Sequence, residues 1–175
     1  SGGVLPIMTV AGFSHPDDGE KALADGKCDL VGMARSWISN PEWVRLMSED
    51  SLDDMIPCLR CNKCHRSSEA DPFIPVCAVN PTWGIEHKLP RLVKPITRKK
   101  KLAVVGGGPA GMRTAMYLKD RGHDVTIYEA GEHLGGQLNI IMDVDFKWTL
   151  NDYRKYLIYQ VNKKKIAVKL GTMAT

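Results

Sequence analysis

The chain has no apolar stretch approaching the roughly 18 residues of a membrane span. It also lacks a signal-peptide pattern, which makes a reducing cytoplasm the expected compartment and leaves disulfides a small remainder among the readings of its cysteines. No internal repeat is visible. The histidines His15, His65, His87, His123 and His133 lack metal-ligand spacing, and each reads as a loop or surface residue. No sustained basic face exists either. The net charge of +4 is mostly local, in Arg98-Lys99-Lys100-Lys101 and Lys163-Lys164-Lys165. Both runs directly precede expected strands, so a nucleic-acid or membrane-surface partner is not expected. What remains is ordinary composition for a globular protein, 43% hydrophobic and 25% charged over 175 residues, enough for one domain or two small ones.

Against that background the cysteines stand out. Cys58, Cys61, Cys64 and Cys77 read C-x2-C-x2-C-x12-C. Three thiols two residues apart place three sulfurs around a point beside a tight loop, and the fourth returns after an excursion. That suits a 4Fe-4S cubane, whose irons need thiolates at four corners. A zinc site more often shows two separate C-x2-C pairs, and stays open as the alternative. The fifth cysteine, Cys28, is far in sequence from the others and reads as a small core residue. His65 abuts Cys64 and is a candidate for tuning whatever the thiols hold.

Around the cysteines the chain divides into three. Residues 1–50 alternate strand, helix, strand, helix. Leu5 to Val10 is a continuous apolar run, as in a strand buried on both faces of a parallel sheet. A helix is expected from Pro16, capped by Ser14 or His15, with Gly26 in the C′ position. Cys28 to Gly32 is the next strand, and Asn40-Pro41 caps a further helix. Residues 51–100 hold the cysteine loop and a proline-punctuated connector, acceptable where a cofactor organises it. Residues 101–175 are a second α/β unit: a strand and glycine turn in LAVVGGGPAGM, a helix to about Arg121 stopped by Gly122, a strand DVTIYEA, a helix bearing Leu150, Tyr153, Leu157 and Val161 on one stripe, and a third strand IAVKLG. Trp148 and Tyr153 read as core on that stripe. A chain that opens on VLPIMTV rather than Met, and closes just after IAVKL, is expected to be a piece of something larger.

Gly106, Gly108 and Gly111 form G-x-G-x-x-G between a strand and a helix, with Glu129 at the end of the second strand. The first glycine permits the tight turn, the second lets backbone approach a pyrophosphate, and the third lets helix and strand pack closely. The helix N-terminus then faces phosphate, and Glu129 would accept hydrogen bonds from ribose hydroxyls. The loop EHLGGQLN carries Gly135, Gly136, Gln137 and Asn139; its glycines could bring N–H groups to a cofactor, or form a plain turn. In the first segment, Gly12 and Ala34 follow the two parallel strands and could offer N–H groups to a phosphate, with Arg35 as a bidentate charge.

The order of barrel end, cysteine cluster and dinucleotide fold resembles the Old Yellow Enzyme-related flavin oxidoreductases, the family of 2,4-dienoyl-CoA reductase, enoate reductase and trimethylamine dehydrogenase. The resemblance covers essentially the whole chain. VAGFSHPDDGEKALADGKCDLVGMARSWISNPEW resembles barrel strands 7 and 8, PCLRCNKC and VCAVNP the cluster ligands, and VVGGGPAGM, IYEA and LGGQLN the FAD or ADP domain. It implies an α/β fold: the end of a TIM barrel, an iron–sulfur connector, and an incomplete Rossmann-like domain. It implies FMN contacts at Gly12, Ala34 and Arg35, FAD (or ADP) contacts at Gly106, Gly108, Gly111, Glu129, Gly136 and Gln137, and cluster ligands at the four cysteines. Electrons would run from NAD(P)H through FAD, 4Fe-4S and FMN to an activated C=C bond of a small-molecule substrate. Catalytic acids would lie on earlier barrel strands, so none is named, and a homo-oligomer stays open. The spacing between Cys61 and Cys64 matches the amine dehydrogenases, where ADP is bound, whereas LGGQLNI looks like the reductases. A reading of another class, a zinc-knitted connector joined to a nucleotide-binding module without catalysis, also stays open.

Overall fold

In the computed structural model the described residues are 3, 5–10, 12–65 and 76–174. Val4 of the first expected strand and Ala11 of the Val-Ala-Gly turn lie outside them. Two compact units are present, Ser1–Glu86 and His87–Thr175, and the border falls inside the stretch read as connector.

In the first unit, β1 (Met8–Val10) and β2 (Leu30–Gly32) pair in parallel, with Met8 opposite Leu30 and Val10 opposite Gly32. Parallel strands need a crossover, and α1 (Pro16–Ala24) supplies it. Proline is tolerated at its first turn, His15 is the N-cap and accepts the Asp17 N–H at Nδ1, and Gly26 follows with φ +66°. The strands are shorter than expected and not buried on both faces: Met8 is 58% and Val10 62% exposed. Two strands with one crossover helix cannot cover both faces of a sheet, which leaves these apolar side chains at the surface. Two short helices follow, α2 (Ala34–Ser39) and α3 (Trp43–Ser48). The helix expected after Asn40-Pro41 is α3, and the Asn40 side chain accepts the Glu42 N–H just before it. Trp43, Leu46, Val79 and Cys28 are buried, so Cys28 is a core residue.

The end of α2 holds both flanks of the cysteine segment. Ser39 Oγ donates to the Ile56 carbonyl at 3.2 Å, and Asn80 Nδ2 donates to the Ile38 carbonyl at 2.9 Å. Asn80 Oδ1 in turn accepts from the N–H and hydroxyl of Thr82. Both polar side chains are buried with partners, as burial of polar groups requires. They place Cys58 and Cys77 on the same side of the unit although 19 residues separate their numbers.

In the second unit a short helix α4 (Leu89–Leu92) precedes a three-stranded parallel sheet in the order β3 (Lys101–Val105), β4 (Asp124–Tyr128), β5 (Ala167–Lys169). The crossovers contain α5 (Pro109–Asp120) and α6 (Trp148–Lys163). Met112, Ala115 and Met116 of α5 and Tyr153, Leu157 and Val161 of α6 bury with Val104, Val125 and Ile127 of the sheet. Trp148 departs from the expected stripe: it opens α6 and is 44% exposed. His123 also departs from the surface reading. It is buried just after Gly122 (φ +90°), and its Nδ1 accepts the Lys100 N–H at 3.2 Å, joining the starts of β3 and β4.

Candidate functional site

A cavity of about 670 Å³ opens where the two strands of the first unit end. Gly12, Phe13 and Ser14 line it after β1, Met33 to Ser36 after β2, and Cys58, Arg60, Asn62 and His65 from the cysteine loop. Gly12 has φ +85°, a conformation glycine adopts without strain. So Gly12, Ala34 and Arg35, singled out from the sequence, are brought to one cavity. The Arg35 side chain turns toward the cysteine loop, where Nη1 donates to Asn62 Oδ1 at 2.8 Å.

Arg60, like Asn62, is a residue that sequence reasoning missed. Its Nη2 donates to the Gly12 carbonyl and to Ser14 Oγ, both at 2.6 Å, and its Nε donates to Ser14 Oγ at 3.2 Å. A second positive side chain therefore enters the cavity wall from between two cysteines.

Cys58, Cys61, Cys64 and Cys77 line one narrow void together with Arg35, Ile38, Leu59, Asn62, Ala78 and Val79. Three of the residues bordering it, Cys58, Arg35 and Asn62, also border the cavity. Local backbone explains the convergence. Arg60 (φ +53°) and Asn62 (φ +56°) are left-handed, one inside each C-x2-C step, and curl the loop on itself. The Arg60 N–H donates to Cys58 Sγ at 3.4 Å. Burial pushes the Cys64 thiol above its ordinary value, and the Cys58, Cys77 and Cys61 thiols push the same way, against its own backbone N–H. Among the described residues, no three Cys, His, Asp or Glu side chains close tightly enough to hold a single metal ion. Four cysteines bordering one void are a donor set that fits a 4Fe-4S cluster, which takes one thiolate at each of four corners.

In the second unit the glycine turn has the close packing its motif needs. A Cβ on Gly111 would stand 1.9 Å from the Gly106 carbonyl oxygen, so only glycine lets α5 lie against β3. Gly106 itself has φ +96°. The LGGQLN loop packs directly on this turn: the Gly135 N–H donates to the Gly107 carbonyl at 2.9 Å, and a Cβ on Gly136 would stand 3.0 Å from Gly108 Cα. It is thus a second layer of the turn, continuing into a short 3-10 segment, Gly136–Ile141. Gln137 is exposed on it. Glu129 sits at the end of β4, where its carboxylate accepts the Gly131 N–H at 2.7 Å and the Gly107 N–H at 2.5 Å. These two bonds, the Gly131 one foremost, hold its carboxyl below the usual carboxylate range. The glutamate therefore shapes the turn in addition to any contact it makes with a ribose.

Known proteins resemble this chain over nearly all of its length. A family of NAD(P)-binding Rossmann-like domains matches residues 104–152. NADH oxidase of Thermoanaerobacter brockii is 34% identical over 171 residues, which are 97% of this chain and 26% of that protein. Among solved structures, a 2-naphthoyl-CoA reductase in complex with 2-naphthoyl-CoA superposes with a TM-score of 0.89 at 34% identity, over 98% of this chain and 26% of that one. Histamine dehydrogenase from Rhizobium sp. 4-9 superposes with a TM-score of 0.84 at 25% identity, again over 98% and 26%. The chain spans about a quarter of the length of the curated relatives it matches. Those relatives are oxidoreductases, reductases and amine dehydrogenases alike. No helix among the described residues is long and apolar enough to cross a membrane.

Proposed function

Given that this chain belongs to the flavin oxidoreductase family of 2,4-dienoyl-CoA reductase, Old Yellow Enzyme and trimethylamine dehydrogenase, we propose that it is the relay portion of an NAD(P)H-dependent reductase acting on an activated C=C bond. The observation that carries the reading is the shared wall: Cys58, Arg35 and Asn62 border both the strand-end cavity and the thiol void. The cavity takes the phosphate end of FMN, the four thiols hold a 4Fe-4S cluster, and the glycine turn of the second unit takes FAD. When bound, these groups supply hydride and single-electron transfer, chemistry the side chains cannot provide.

The residues bind and orient. Gly12 and Ala34 present backbone to the phosphate, and Arg35 brings charge. Cys58, Cys61, Cys64 and Cys77 supply the ligands from a loop already curled by its two left-handed residues. Gly106, Gly108 and Gly111 clear the approach to a pyrophosphate at the start of α5, and Gly136 and Gln137 flank it from the stacked loop. Glu129 fixes that turn through the Gly107 and Gly131 N–H groups and disfavours a 2′-phosphate by its charge.

A second reading, an amine dehydrogenase carrying ADP in the second unit, draws on the C-x2-C-x2-C spacing and on the likeness to histamine dehydrogenase. Anaerobic additions separate the two. Flavin bleaching by NADH or NADPH, with the electron paramagnetic resonance signal of a reduced cluster, is the result expected. Bleaching by a methylated amine and by neither nicotinamide would overturn the reductase in favour of the dehydrogenase.

A further inference from the structure

The cysteine loop does more than carry thiols. Its two left-handed residues, Arg60 and Asn62, each cross to the end of a different strand. Arg60 donates to the Gly12 carbonyl and Ser14 Oγ, after β1. Asn62 accepts from Arg35, after β2. These bonds span 48, 46 and 27 residues of sequence. The same loop forms one wall of the cavity through Cys58, Arg60, Asn62 and His65. At its other side the Arg60 N–H donates to the Cys58 sulfur. One residue therefore touches a thiol with its backbone and the phosphate-side turn with its guanidinium.

We propose that Arg60 and Asn62 form a double clasp that couples the two sites. A group held by the four thiols fixes the loop, the loop fixes the Gly12–Ser14 turn and Arg35, and the cavity gains affinity for a phosphomonoester. By linkage, an occupied cavity stabilises the loaded thiol site by the same factor. Arg60 and Asn62 are positioning residues in this scheme, acting through the turn and through Arg35. The inference rests on reading the thiols as the cluster site and the cavity as the FMN phosphate site.

The test is an FMN affinity measured twice on the anaerobically purified, deflavinated protein, by quenching of FMN fluorescence: once with iron and sulfide bound, once after both are removed by a chelator. In the wild type, removal is expected to weaken FMN binding about tenfold, equivalent to about 1.4 kcal/mol. Arg60→Asn removes the guanidinium and keeps a residue that tolerates the left-handed backbone. Asn62→Gly removes the acceptor and keeps the φ. Each is expected to reduce the factor, and the double variant to bring it near one. Ser14→Ala, which deletes an acceptor of Arg60 without touching the loop, should act in the same direction and carries the test if Arg60→Asn does not fold. Wild-type protein that binds both groups with equal FMN affinity in the two states would overturn the clasp, as would variants that keep the full factor. Wild-type protein that binds no iron, sulfide or FMN would instead contradict the relay reading on which the clasp stands.

Discussion

At the scale of single residues, the most demanding position is Gly111. Its missing Cβ would lie 1.9 Å from a backbone oxygen, which no rotamer can relieve. Gly111→Ala must push α5 off β3 and is expected to destabilise the second unit by about 3 kcal/mol or more, seen as a lower melting temperature with loss of nucleotide binding. Glu129 gives a pH signature. Its folded pKa is depressed by the Gly131 and Gly107 N–H groups, so its contribution to stability is complete above the ordinary carboxylate value of about 4.3 and is lost as pH falls through the depressed value. Glu129→Gln should therefore lower the melting temperature at pH 7, and the gap to wild type should shrink as pH falls below about 4. A gap that widens on acidification would count against this assignment. Both residues were legible in the sequence as a motif, because the motif is a steric statement about glycine and an electrostatic one about the acid. Arg60 and Asn62 were not. Non-glycine residues with positive φ leave no periodic trace, and the one available signal was an asparagine, tolerant of that conformation, between two closely spaced cysteines.

At the scale of elements, local cues foresaw the long helices well and the short pieces poorly. The start of α1 at Pro16, the end of α5 before Gly122 and the stripe Tyr153, Leu157, Val161 on α6 follow from caps and periodicity. The first strand did not follow its pattern. An apolar run suggests burial on both faces, but burial depends on what the rest of the fold lays against the strand, and Met8 and Val10 stand exposed. The six-residue α2 went unforeseen because so short a helix shows less than two turns of pattern, yet its end organises the cysteine loop through Ser39 and Asn80. Asn80→Ala removes a buried donor and acceptor at once and leaves the Ile38 carbonyl without that partner. A loss of about 1–3 kcal/mol in the first unit is expected. Loss of iron to a chelator should accelerate along with it, and an unchanged rate would show that the cysteine loop does not lean on α2.

At the scale of the whole molecule, two units carry complementary equipment. The first places four thiols beside a cavity at the ends of parallel strands, and the second builds a glycine turn doubled by a stacked loop. That combination, more than any single motif, is what the resemblance read from the sequence rested on, and the likeness to the relatives runs over nearly the full chain. The substrate was not legible, since no residue of this chain identifies itself as a catalytic acid or base. The central claim concerns the group on Cys58, Cys61, Cys64 and Cys77, and it is tested most directly by iron, zinc and acid-labile sulfide analysis of protein prepared without oxygen. About four irons and four sulfides per chain are expected, falling sharply in Cys61→Ser and unchanged in Cys28→Ser. Stoichiometric zinc without iron or sulfide would contradict the account.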